Sequence, residues 1–225
     1  MIKIEKAEIH GWEAAIRGMR NPLNSWARSD SFLGAEKAIY EDCENNSNDP
    51  CRRCQNTECV NVGEKDLTLM KKLSSSGTDH RKFMRMIVVY TDVIAPLYWW
   101  KEFDTYKVGT VANSCSTMHK IQEKEFVFDD FSHEHLIDPE GLLNDIITDL
   151  NTWREQYLKT KDKEYWWQMI QLLPSSYNQK RTLMLNYEVL ANIYKSRKNH
   201  KLDEWRDFCT WIEELPYSEL ITGKI

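Results

Sequence analysis

RMIVVYTDVIAP, residues 85 to 96, is the stretch that most restricts the fold. Its β-branched and aromatic centre suits a pleated, buried strand. Pro96 ends that pattern and opens a new element, because its fixed φ and missing N–H fit a first turn. A buried strand needs partners, so the chain must build a sheet with helices covering it. Residues 1 to 9, MIKIEKAEI, alternate Ile with charge at period two and read as a second strand.

The remaining pattern is helical. GWEAAIRGMRNP holds a turn or two before Pro22, and DLTLMKKLSSSG reads as a short helix with Asp66 as cap and Gly77 as stop. APLYWWKEFDTY is expected to be a helix with Leu97, Trp100 and Phe103 or Asp104 on one stripe. LLNDIITDLNTWREQYL repeats Leu143, Ile146, Ile147, Leu150, Trp153 and Tyr157 at helical spacing. KEYWWQMIQLL, RTLMLNYEVLANIYKSR and LDEWRDFCTWIEEL follow as three more helices, so the C-terminal half is expected to be helical. The class is α/β (α+β), a central mixed sheet with long helices. With 225 residues, one domain over 1–225 is expected, carrying one insertion.

Composition narrows the partners. The formal charge is −5, so no global basic field points to nucleic acid. No stretch approaches the ~20 apolar residues of a membrane helix, and the N-terminus lacks a signal peptide's apolar run. A soluble, cytoplasmic protein is expected. In that compartment the six cysteines would stay reduced, which favours metal binding or burial over disulfides.

Four of those cysteines lie in the polar segment at about 41–63. Cys43, Cys51, Cys54 and Cys59 follow a C-x7-C-x2-C-x4-C pattern, flanked at Arg52 and Arg53 by cations that stabilise thiolates. A C-x2-C pair turns two thiolates toward one ion, and four ligands suit tetrahedral structural zinc. Zinc would also organise a segment too polar for a core of its own. An iron–sulfur cluster and a thiol-bearing loop without metal are the alternatives.

KEFDTYKVGTVANSCSTM, 101 to 118, packs Thr, Tyr, Lys, Asn, Ser and Cys beside an apolar element, a composition suited to a binding loop. Its setting resembles the flavin-dependent thymidylate synthase (ThyX-like) family. That family carries A-P-I-F-x-x-R-Q-W followed by R-H-R-x-x-S-x-N-E-x-S-x-R-Y. Here Ala95-Pro96-Leu97-Tyr98 fall on A-P-I-F and Lys101-Glu102-Phe103 on R-Q-W. Thr105-Tyr106-Lys107 fall on R-H-R, Thr110 and Cys115 on the two serines, Asn113 on the glutamate and Thr117 on the last arginine. Of the family's H-x-S-x-x-E-H, His80 remains, while Arg85 and Met86 stand where E-H would be. Asn186 falls on the first residue of N-x-R, Glu188 on its Arg, Arg197 on a later L-R, and Arg206 close to a last Arg. The likeness spans about 66 to 215; the cysteine segment lies outside it.

The resemblance implies a thymidylate synthase-complementing-protein-like fold, a homotetramer, bound FAD, and one-carbon transfer to dUMP or a related pyrimidine nucleotide. It places His80, Tyr106, Lys107, Asn186 and Arg197 against the flavin. It places Glu102, Thr110, Asn113, Cys115 and Arg206 against the substrate. Exchanging fork-shaped arginines for Thr at 105 and 117 removes bidentate anion contacts, each charge-assisted bond being worth ~1.5–3 kcal/mol. Lys107, His119, Lys120, Arg181 and Arg206 are the cations available to replace them. The alternative function is a non-catalytic, zinc-stabilised interaction protein on the same scaffold; a nucleic-acid module using the cysteine segment ranks below both.

Overall fold

The computed structural model describes residues 2–33 and 60–223. The chain divides into two compact units. One comprises Met1–Lys3, Val93–Thr105 and Asn113–Thr182; the other comprises Ile4–Asp92, Tyr106–Ala112 and Leu183–Ile225. A four-stranded sheet has the order β1-β4-β6-β5, from β1 (Lys3–His10), β4 (Val88–Pro96), β6 (Asn178–Asn186) and β5 (Val111–Ser114). Strands β4 and β6 each continue along the chain from one unit into the other. Two residue-pair strands, β2 (Phe32–Leu33) and β3 (Val60–Asn61), pair antiparallel. All of residues 34–59 lie between them in sequence, so Cys43, Cys51, Cys54 and Cys59 fall outside the described residues. Among the described residues no group of three or more His, Cys, Asp or Glu is placed to hold a metal ion. No described helix is long and apolar enough to cross a membrane.

In the unit that holds residues 113–182, α4 (Asn144–Thr160) and α5 (Lys163–Leu172) pack as a hairpin. Lys161 takes a left-handed conformation at φ 59° to close α4, and Asp162 caps α5 by accepting from the N–H of Glu164 at 3.0 Å. The predicted apolar stripe does face a core: Leu143, Leu150 and Met169 are buried with Phe126 and Phe131, and Ile146, Ile147, Trp153 and Tyr157 pack against them. Helix α3 (Leu97–Phe103) buries Trp99, Trp100 and Phe103 as a ring cluster with centroids 4.8–5.3 Å apart. The Trp100 indole donates to the Gln179 carbonyl at 3.0 Å, which satisfies a buried N–H.

The other unit gathers α1 (Trp12–Arg20), α2 (Glu64–Ser75), α6 (Tyr187–Arg197), α7 (Asp203–Glu213) and α8 (Glu219–Thr222). Gly11 opens α1 at φ +93°, and a Cβ there would lie 2.0 Å from the Met86 carbonyl, so only glycine fits. Asp66 is not the cap of α2. Gly63 holds that position, and the Asp66 carboxylate turns inward to Arg20, Ser29 and Ser31. Burial alone would raise its pKa, but bonds from Ser29, Ser31, Arg20 and the Asp30 N–H outweigh that and hold it below the ordinary value.

One expected helix is half strand. Residues 181–186 of RTLMLNYEVLANIYKSR belong to β6, and α6 begins only at Tyr187. Leu183 and Leu185 are buried at period two, the mark of a pleated element. Asn186 forms the joint: it is extended, and its side chain accepts from the Val189 N–H at 3.0 Å. The C-terminal half therefore supplies a sheet strand as well as helices.

Candidate functional site

Residues 106–112 lie against α6 and α7 within one unit. The chain reaches this position through two backbone devices. Gly109 adopts φ +76°, and a Cβ on it would come within 2.7 Å of Asn186 Nδ2. That close approach lets Asn186 donate to the Gly109 carbonyl at 3.4 Å while its oxygen caps α6. Thr110 folds its hydroxyl back onto the Tyr106 carbonyl.

The loop then presents Tyr106 to two residues of the C-terminal helices. Arg197 Nε donates to the Tyr106 hydroxyl at 3.0 Å. The Arg197 guanidinium lies 4.7 Å from the Trp205 ring centroid and 5.7 Å from that of Tyr106. The two rings meet edge-on at 6.0 Å. A cation flanked by two π-faces is stabilised by ~0.5–2 kcal/mol, depending on how dry the site is. Two chain segments thus meet: the loop touches Asn186 at the start of α6 through Gly109 and Arg197 at its end through Tyr106. Lys107 is exposed on the same loop. The chemistry available there is recognition: a planar cation, aromatic faces, a phenol and an amide, suited to a flat ring bearing an anionic group.

The other candidates stand elsewhere or are already engaged. His80 is exposed, just ahead of the 3-10 turns Arg81–Met86. Arg206 bonds the carbonyls of His200 at 2.8 Å and Lys201 at 3.1 Å and pairs with Asp203, closing the turn that leads into α7. In the other unit, Glu102 lies on α3 and its carbonyl receives the Thr105 hydroxyl at 2.7 Å. Asn113 is exposed on β5. Cys115 is exposed and uses its backbone, its N–H to Lys180 at 2.9 Å and its carbonyl to Gln179 at 2.8 Å.

Several cations offered as replacements for the lost arginines are neutralised within the fold. Arg181 pairs with Asp104 at 2.7 Å, donates to Gln179 at 3.0 Å and stacks on Trp100 at 4.2 Å. Lys120 pairs with Glu123. Trp205 and Glu188 are the partners that sequence reasoning underrated. Trp205 sits one residue before Arg206, the position the resemblance marks. Glu188 is an acid inside an otherwise buried helical face, and that misfit was its signal.

Glu188 explains two departures from the family pattern at once. Arg85 stands where the pattern has Glu, and Glu188 where it has Arg; the structure joins them in an ion pair. Arg81 adds a second guanidinium at 3.3 Å from the same carboxylate. Burial would raise the Glu188 pKa, but hydrogen bonds and charge from Arg85 and Arg81 bring it below the ordinary value. Each reversal supplies the counter-charge for the other. Exchanging one charge alone, Arg85→Glu or Glu188→Arg, is therefore expected to lower Tm by several degrees. The doubly exchanged protein should recover most of that loss, which a thermal-unfolding double-mutant cycle measures directly.

No family model and no curated protein sequence matches the chain. Solved structures do match. The flavin-dependent thymidylate synthase ThyX from Helicobacter pylori, complexed with FAD and dUMP, aligns with a TM-score of 0.66 at 14% identity, covering 98% of this chain and 97% of that one. A further structure of thymidylate synthase X from the same organism, with FAD and dUMP, aligns at 0.67 and 14% identity over 98% and 96%. The UMP/dUMP methylase PolB from Streptomyces cacaoi, bound with 5-Br dUMP, aligns at 0.58 and 12% identity over 99% and 95%. The chain thus has the α/β fold of these proteins over nearly its whole length.

Proposed function

We infer that the chain is a divergent flavin-dependent thymidylate synthase-like protein that binds a pyrimidine nucleotide and a flavin through the 106–112 loop. The observation that supports this most is the Arg197–Tyr106 hydrogen bond, together with Asn186 reaching Gly109. Two segments that the resemblance marks for ligands, the loop and α6, meet there, in a fold whose neighbours carry FAD and dUMP. The glycine cradle also favours the reading, because its lack of a side chain lets loop and helix approach closely.

A flavin, when bound, supplies hydride chemistry of its own. Tyr106, Lys107, Asn186 and Arg197 would hold it, Arg197 contributing charge and Tyr106 a ring face. Thr110 orients the loop rather than the ligand, since its hydroxyl is turned to the backbone. Methylation of dUMP or a related pyrimidine, and assembly as a homotetramer, belong to this reading. So does a structural zinc held by the four cysteines.

Two measurements test it. Purified protein is expected to show flavin absorption, either as isolated or after FAD is added and excess removed. Calorimetry is expected to show dUMP binding more tightly than deoxyuridine. A protein that takes up neither FAD nor dUMP overturns the reading.

A further inference from the structure

We propose that Arg81, Arg85 and Lys195 form an anion site for a phosphate group. The identity of its ester, a nucleotide monophosphate, rests on the function proposed above. The site lies on the 3-10 turns Arg81–Met86 and on α6, both within one unit. Phe83 and Met84 are buried and anchor the turns; Lys82 and Arg85 are exposed, and Arg81 lies half-buried against α6.

Both guanidinium planes are set in advance. Arg81 donates through Nε to Glu188 at 3.3 Å and through Nη2 to Asn192 at 2.8 Å. Arg85 donates through Nε and Nη2 to the same Glu188 carboxylate. Among the described residues neither bond set uses Nη1, which leaves that amino group of each arginine for a further acceptor. Fixed guanidinium forks recognise tetrahedral oxyanions well, because little entropy is lost when they bind.

Charge counting argues against a purely structural pair. One guanidinium is enough to neutralise Glu188, yet two are present. Asp79 also acts on Arg85. On the other side, Lys195 continues the Glu188, Asn192 face of α6 at i, i+4 and i+7, and Lys82 adjoins Arg81. Three named cations, with Lys82 as a fourth, therefore stand against two carboxylates. A small phosphate fits this patch better than nucleic acid does, since the chain as a whole carries a formal charge of −5.

Calorimetry at low salt on the whole chain tests the site, with inorganic phosphate as the first probe. Arg81→Gln is expected to weaken phosphate binding about tenfold, the loss of one charge-assisted contact. Lys195→Gln, which removes no side-chain hydrogen bond among the described residues, should weaken it about threefold, and Lys124→Gln in the other unit should change nothing. Absence of phosphate binding in the unmodified protein, or unchanged affinity in both Arg81→Gln and Lys195→Gln, overturns the proposal. Titration with dUMP separates the site from the functional reading. Phosphate bound through Arg81 with no response to dUMP leaves the anion site and sinks the nucleotide reading. Equal dUMP affinity in the unmodified protein and Arg81→Gln leaves that reading and sinks the site's role in it.

Discussion

Asp66→Asn is expected to destabilise the fold by about 3–5 kcal/mol, the loss seen when one partner of a buried ion pair is removed. The Arg20 and Asp66 side chains are 4% and 0% exposed and meet at 2.6 Å. Asn would keep the shape and lose the charge, leaving a buried guanidinium without its counter-ion. Replacing both residues by apolar ones should not rescue stability. The hydroxyls of Ser29 and Ser31 and the N–H groups of residues 30 and 31 all converge on the second Asp66 oxygen and would lose their acceptor. Urea unfolding checks this: the midpoint should fall while the slope stays constant.

The same carboxylate gives a pH signature of known sign. Its folded pKa lies below the ordinary value, so the unfolded chain takes up the proton first as pH falls. The stabilisation is complete above the ordinary carboxylate value of ~3.9. It is lost progressively as pH drops through the lower folded value. Asp66→Asn should therefore show a shallower loss of stability between about pH 5 and the acid limit than the unmodified protein.

Gly109→Ala is expected to weaken FAD and dUMP binding at least tenfold while the cores of both units persist. The new Cβ meets Asn186 Nδ2 at 2.7 Å and Val189 Cγ2 at 3.2 Å, on a backbone at φ +76°. Left-handed strain alone costs roughly 1–2 kcal/mol in a residue other than glycine. Displacing Asn186 also threatens the cap of α6, worth about 1 kcal/mol. The loop relieves this by moving off the helix, and Tyr106 then loses its bond to Arg197. Paired measurements of Tm and ligand affinity check the outcome. A Tm lowered by a few degrees with ligand affinity unchanged would separate the loop from binding.

Local patterning decided much of this chain. The β-branched run before Pro96 became β4, the Ile alternation at the start became β1, and the apolar stripe from Leu143 to Tyr157 became the buried side of α4. These features were legible because each depends on neighbours within a few residues. The stretch from Arg181 to Asn186 was not, since Thr-Leu-Met-Leu satisfies a helix as readily as a strand. Only pairing with β4 and β5 makes the extended form the one that meets its backbone hydrogen bonds. The 106–112 loop divides the same way. Its polar composition suited a binding loop, and the resemblance pointed to Tyr106, Asn186 and Arg197. That Arg197 would lie between Tyr106 and Trp205, and that Arg85 would find Glu188 across 103 positions, depended on tertiary contacts. A charge carries no record in its sequence position of the counter-charge it will meet, because that choice is made by packing at long range, where burial makes an unpaired ion too costly to keep.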